Sequence, residues 1–133
     1  EGDHQAWVDS MLTKRSDLVA FIVDETAGSG AIGTCQLVNI NWRHRSAELQ
    51  VRIGSATHQG KGFRAEAVKL LCRFGFTDLK LHRIYLHVFA NDLGAIRAYE
   101  KCGFVREGLL KEAAFIDGTW VDVRVMGLIE RDE

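Results

Sequence analysis

The chain has 133 residues, with 17 basic and 18 acidic side chains, a formal net charge of -1 and a hydrophobic fraction of 47%. That supplies a core of ordinary domain size and excludes nucleic-acid binding driven by overall positive charge. No apolar run reaches the roughly 20 residues needed to cross a bilayer, and no signal peptide is visible in Glu1-Gly2-Asp3-His4-Gln5.

In chain order, residues 3–13 read as a short helix, because Trp7, Val8, Met11 and Leu12 fall at helical spacing. Leu18 to Asp24 and Ile32 to Ile40 read as a hairpin around the turn Thr26-Ala27-Gly28-Ser29-Gly30. After a polar turn from Asn41 to Ser46 comes the cleanest alternation in the chain. Ala47, Leu49, Val51 and Ile53 point one way, and Glu48, Gln50 and Arg52 point the other. Gly54 to Lys61 is a loop, and Gly62 to Thr77 is the strongest helix. Its polar stripe is Glu66, Lys69 and Arg73, against Ala67, Val68, Leu71, Cys72 and Phe74. Arg83 to Phe89 is a strand. Leu93 to Lys101 is a helix with Asn91 or Asp92 as its N-cap and Gly103 as its left-handed stop. Phe104 to Ile116 and Thr119 to Ile129 close the chain as a hairpin across Asp117-Gly118. The pattern predicts one mixed α/β domain over residues 1–133, with a strand–helix–strand crossover at its centre.

The odd count and wide spacing of Cys35, Cys72 and Cys102 fit neither a disulfide framework nor a zinc site. The five histidines do not complete a metal set with them. Buried thiols in a reducing cytoplasm, with no metal, are the expectation.

Two segments can carry chemistry. The turn Gln59-Gly60-Lys61-Gly62-Phe63-Arg64 opens a helix. Its glycines let a backbone approach a ligand closely, the free N–H groups of the helix start favour phosphate, and Lys61 and Arg64 add charge. The same turn is also what a plain helix start looks like. As Gly60-x-Gly62-x-x-Ala65, with Asp92 after the next strand, it further approaches a dinucleotide fingerprint; the short chain and single crossover speak against that reading. In the second segment, Asn91, Ala95 and Tyr99 recur at four-residue intervals before Glu100-Lys101-x-Gly103-Phe104. Ala95 and Tyr99 share a helix face, leaving room for a ligand arm to reach the phenol. A core tyrosine is the plainer reading.

Together the two segments resemble the GNAT superfamily of N-acetyltransferases, whose signature is Gln/Arg-x-x-Gly-x-Gly/Ala followed by Asn…Ala…Tyr-Glu-Lys-x-Gly-Phe. Arg64 departs from the pattern, standing where a small residue is usual. Ala47-Glu48-Leu49, Arg106-Glu107-Gly108 and Gly118…Asp122-Val123 are similar to the subgroup that acetylates ribosomal-protein N-termini, spermidine and amino sugars. Members usually begin with a strand and a helix ahead of the segment matching His4-Gln5-Ala6-Trp7, so the resemblance implies a chain short at its N-terminus.

The resemblance implies acetyl-coenzyme A as cosubstrate and direct attack by a primary amine or protein N-terminal amine in a ternary complex. Tyr99 would protonate the departing thiolate; phenol and thiol pKa values of about 10 and about 8.5 make that transfer easy. Glu48 would accept the amine's proton, with His58 and His87 as weaker candidates. The backbones of Val51 and Ile53 would pair with the pantetheine arm as an added strand. Gln59 to Arg64 would hold the pyrophosphate, Asn91 would bond the pantetheine amide or cap the helix, and Ala95 would leave room for the arm. Family habit implies a homodimer. A module that binds the coenzyme without catalysis is the alternative.

Overall fold

The computed structural model describes residues 6–15, 17–25, 30–53 and 63–130. Its strands are β1 (Ala6–Arg15), β2 (Leu18–Glu25), β3 (Gly30–Asn41), β4 (Ser46–Ile53), β5 (Arg83–Phe89), β6 (Val105–Ile116) and β7 (Thr119–Ile129). The helices are α1 (Phe63–Thr77), between β4 and β5, and α2 (Leu93–Lys101), between β5 and β6. The strands form one mixed sheet in the order β1-β2-β3-β4-β5-β7-β6.

Residues 3–13 are where the sequence-based expectation fails. Ala6–Arg15 is a strand, antiparallel to β2, not a helix. Register shifts between Val8 and Ser10, and again between Met11 and Thr13, break the two-residue period that marks a strand. The sequence Trp7-Val8-x-x-Met11-Leu12 therefore imitates helical spacing. The expected turn at Thr26 to Gly30 lies, apart from Gly30, outside the described residues.

The other elements follow their patterns closely. Asp117 and Gly118 have φ of 51° and 78°, the pair of left-handed residues that a type I′ hairpin turn requires. Asn41 closes the β3–β4 turn by accepting the His44 N–H at 2.9 Å. At the end of α2, the N–H of Phe104 bonds the Tyr99 carbonyl and that of Gly103 bonds Glu100. Gly103 sits at φ 102°. These are the two crossed bonds of a Schellman stop.

The core lies between one face of the sheet and the two helices. Cys35 and Leu37 of β3, Ala47 and Leu49 of β4, Ile84 and Leu86 of β5, and Met126 of β7 are buried on that face. Ala67, Val68, Leu71 and Phe76 from α1 and Ile96 and Tyr99 from α2 pack against them. Gly75 brings α1 close to the sheet: a Cβ there would meet Ile84, Leu37 and Leu81 at 3.1–3.3 Å.

The opposite face is polar near its centre. The Arg83 guanidinium grips Glu107 with two bonds of 2.7 and 2.8 Å, and this holds the Glu107 carboxyl below its usual range. The same carboxylate lies over Gly127, where any Cβ would collide with it. Beyond it, the closing hairpin exposes Val105, Leu109, Leu110, Phe115, Ile116 and Trp120.

Leu71 is fully enclosed between α1 and the sheet. Leu71→Ala should lower unfolding stability by about 2–5 kcal/mol, read from the midpoint of urea unfolding followed by circular dichroism.

Candidate functional site

The site begins where the sheet comes apart. Among the described residues β4 and β5 are the one parallel pair, and their pairing covers only Ser46, Ala47 and Glu48 against Arg83, Ile84 and Tyr85. Both strands continue, β4 to Ile53 and β5 to Phe89, without pairing to each other. β5 stays paired with β7 to its end, and β4 with β3. The two halves of the sheet therefore diverge past Glu48. Among the described residues, the β5-facing backbone edge of residues 49–53 has no strand partner.

A cleft of about 270 Å³ fills the gap. Val51 forms one wall and His87, Val88 and Phe89 the other. Arg64 from the first turn of α1, with Asp92, Ala95 and Tyr99 from the start and inner face of α2, closes the helix side. Side chains alternate along a strand, so Val51 and Val88 belong to the helix face, while His87 and Phe89 belong to the open face. The cleft thus has lining residues whose side chains belong to both faces of the sheet.

On the helix face, Tyr99 is only 5% exposed and Ala95 8%. The Tyr99 hydroxyl accepts a hydrogen bond from an Arg64 Nη at 3.2 Å, and the Arg64 guanidinium carbon stands 6.0 Å from the centre of the same ring. The Phe104 ring meets Tyr99 edge-on at 6.1 Å. Asp92 is the N-cap of α2 and accepts the Ala95 N–H at 3.1 Å, which fixes the turn that presents Ala95 and Tyr99.

On the open face, both oxygens of Glu48 are engaged. One accepts from Asn39 Nδ2 at 3.1 Å, and the other lies 3.0 Å from His87 Nδ1. The Glu48 side chain is 15% exposed and that of His87 39%. His87, not Glu48, reaches the cleft. A neutral imidazole that donates through Nδ1 keeps Nε2 as a free acceptor.

The expected site residues divide accordingly. Tyr99, Ala95, Val51 and Arg64 come together in one cleft, and Glu48 joins them through His87. Ile53 lies at the end of the unpaired β4 edge, and Phe63 is the first residue of α1. Gln59, Gly60, Lys61 and Gly62, and also His58, lie outside the described residues. Asn91 does not cap α2, a role taken by Asp92. It borders a separate cleft with Lys111, Trp120 and Asp122. His87 had a weak signal in the sequence, sharing a strand face with Tyr85 and Phe89. Its bond to Glu48, 39 positions away, lifts it above a packing residue.

The cysteines lie off this path. Burial pushes the Cys35 thiol up to about 12. Cys102 is half-buried, with its thiol 3.5 Å from the Ala65 carbonyl. Burial raises it too, with Lys69 pulling weakly the other way. Neither is poised as a thiolate nucleophile.

Comparison with known proteins matches this geometry. A family model described as an acetyltransferase (GNAT) domain matches residues 1–105. The spermidine N(1)-acetyltransferase of Vibrio cholerae is 44% identical over 110 residues, covering 83% of this chain and 62% of that protein. The spermidine N(1)-acetyltransferase of Escherichia coli K12 is 44% identical over 88 residues, covering 66% of this chain and 47% of that protein. A solved dodecameric structure of spermidine N-acetyltransferase from Vibrio cholerae superposes with a TM-score of 0.80 at 41% identity, over 86% of this chain and 66% of that one. The chain spans less than two thirds of the length of these two curated relatives.

Asp92→Ala removes the cap that sets the first turn of α2. It should cost about 1 kcal/mol of stability, with Asp92→Asn recovering most of it, measured by urea unfolding.

Proposed function

The chain belongs to the GNAT acetyltransferase family, and on that premise we propose that it moves an acetyl group from acetyl-coenzyme A to a primary amine. The observation that carries this reading is the cleft at the parting of the sheet, with a phenol on its helix side and a carboxylate-held imidazole on its open side.

The residues fit the coenzyme's arm. An extended chain bearing amides can pair with the free backbone edge at Val51 and Ile53 as one more strand. Ala95 leaves space on α2 beside it, and the cleft has room for such an arm but not for the nucleotide. The nucleotide falls to the turn Gln59 to Arg64 at the start of α1, where backbone N–H groups favour phosphate. Bound there, acetyl-coenzyme A supplies an acyl group already activated as a thioester.

The chain's own groups move the protons. His87 Nε2 accepts the proton that the amine sheds as its nitrogen bonds to the acyl carbon, and Glu48 stabilises the imidazolium through Nδ1. Glu48, expected from the sequence as the base, acts in this reading through His87. Tyr99 Oη gives its proton to the sulfur as the carbon–sulfur bond breaks, and recovers one from solvent. The attack is direct and uses no cysteine. With its arm along the β4 edge, the coenzyme would lie toward the helices and His87 toward the open face, and the two substrates would meet in the gap, held together for reaction.

Spermidine is the first acceptor to test, since the Vibrio and Escherichia relatives are named for it; protein N-termini and amino sugars follow. Residues 1–133 acting as one domain, a reducing cytoplasm suited to three free thiols, and self-association belong to the same reading. A homodimer is the smallest assembly that covers the apolar hairpin, and the Vibrio relative is described as dodecameric. No helix among the described residues is long and apolar enough to cross a membrane.

The test couples calorimetric binding of acetyl-coenzyme A to thiol release over an amine panel. Micromolar binding with amine-dependent release is expected; no binding at millimolar coenzyme overturns the proposal. Binding without release on any amine would instead mark a coenzyme-binding module. Tyr99→Phe and His87→Gln should each lower kcat about 100-fold or more while leaving coenzyme affinity within a few-fold. Glu48→Gln should fall in the same direction.

A further inference from the structure

Arg64 stands where the family pattern has a small residue, and its side chain does not point into solvent. We propose that Arg64 is a positioning residue for the proton on Tyr99, holding the phenol so that its O–H faces the cleft. The inference rests on the acetyl-transfer reading and names a residue of that same site.

The geometry argues it in three steps. A guanidinium has five N–H donors and no acceptor, so at 3.2 Å from the hydroxyl it can only donate to the phenol oxygen. The phenol's own hydrogen is left for a different acceptor. The other charged or titratable groups on the cleft are held by other partners, His87 through Nδ1 by Glu48 and Asp92 through Oδ1 by the Ala95 N–H. Neither has a hydrogen bond to Tyr99 among the described residues. The remaining direction for the O–H is the cleft, where the sulfur would leave.

The ring cannot swing away to make another choice. Tyr99 is 5% exposed, held edge-on by Phe104, and its carbonyl is tied into the Schellman stop. When the proton passes from Tyr99 Oη to the departing sulfur, the oxygen becomes an anion. The same Arg64 bond then becomes a pairing of opposite charges, which is stronger than the bond to the neutral phenol. The arrangement therefore favours the state reached during transfer over the resting state. Lys could supply the charge at this position, but not the planar fork that lies over the ring and reaches its oxygen.

Two readouts test this, one of them independent of turnover. The chain has two tyrosines, so in Tyr85→Phe the Raman tyrosine doublet reports Tyr99 alone. That doublet distinguishes a phenol oxygen that accepts a hydrogen bond from one that does not. Adding Arg64→Met should shift it toward a non-accepting phenol, and Arg64→Lys should restore it in part. An unchanged doublet overturns the proposal.

Kinetically, Arg64→Met should lower kcat about ten- to hundredfold, the loss of one charge-assisted bond, with KM for acetyl-coenzyme A little changed. In a Tyr99→Phe background the same substitution should cost nothing further. A raised KM with kcat intact would make Arg64 a phosphate contact instead and overturn the proposal, as would additive losses in the double variant. If the unaltered chain acetylates no amine, the transfer reading fails by that result alone, and the Raman comparison still decides whether Arg64 holds the phenol.

Discussion

The parting of β4 and β5 is the constraint on which the rest of the site depends. A continuous sheet would satisfy every backbone group on both strands and leave no opening. Pairing that stops at Glu48 and Tyr85 leaves several N–H and C=O groups of β4 without a strand partner. Such groups are costly to bury unpaired. The molecule tolerates them because they border a cleft that water or a ligand can enter. A guest with backbone-like amides could satisfy them, as the proposed coenzyme arm would. What keeps the gap open is the firm attachment of each half elsewhere: β4 to β3, β5 to β7, and α1 bridging the two through its tight approach at Gly75.

The gap also sets the division of labour between the faces of the sheet. The helix face carries a nearly enclosed phenol under a guanidinium, and the open face carries an imidazole backed by a half-buried carboxylate. Each group that the proposed transfer uses to move a proton is paired with a charged partner. Those partners come from other elements: Arg64 from α1 for Tyr99 on α2, and Glu48 from β4 for His87 on β5. The chemistry is therefore tied to the register of the fold as well as to the identity of four side chains.

Much of this was legible in the sequence. The bounds of β5, α2 and β7 follow from periodicity and from punctuation at Asp92, Gly103 and Asp117-Gly118, because each of those residues has a local physical task. The sidedness of Glu48 follows from simple alternation along β4. β1 was misread because two register shifts scramble the alternation that would reveal a strand. The partnership of Glu48 with His87, and of Arg64 with Tyr99, had no sequence signal, since both are created by crossover geometry between positions 39 and 35 residues apart. Spacing alone leaves Asn91 and Asp92 both open as the cap of α2; Asp92 takes it, and Asn91 borders another cleft.

The Glu107 carboxylate lying over Gly127, in the grip of Arg83, has a consequence for how such sequences can drift. A side chain at position 127 would have to push the Glu107 carboxylate aside, and doing so would strain or break its two bonds to Arg83. Three positions spread across the second half of the chain are thus linked: a change at 127 is felt first at 107 and through it at 83.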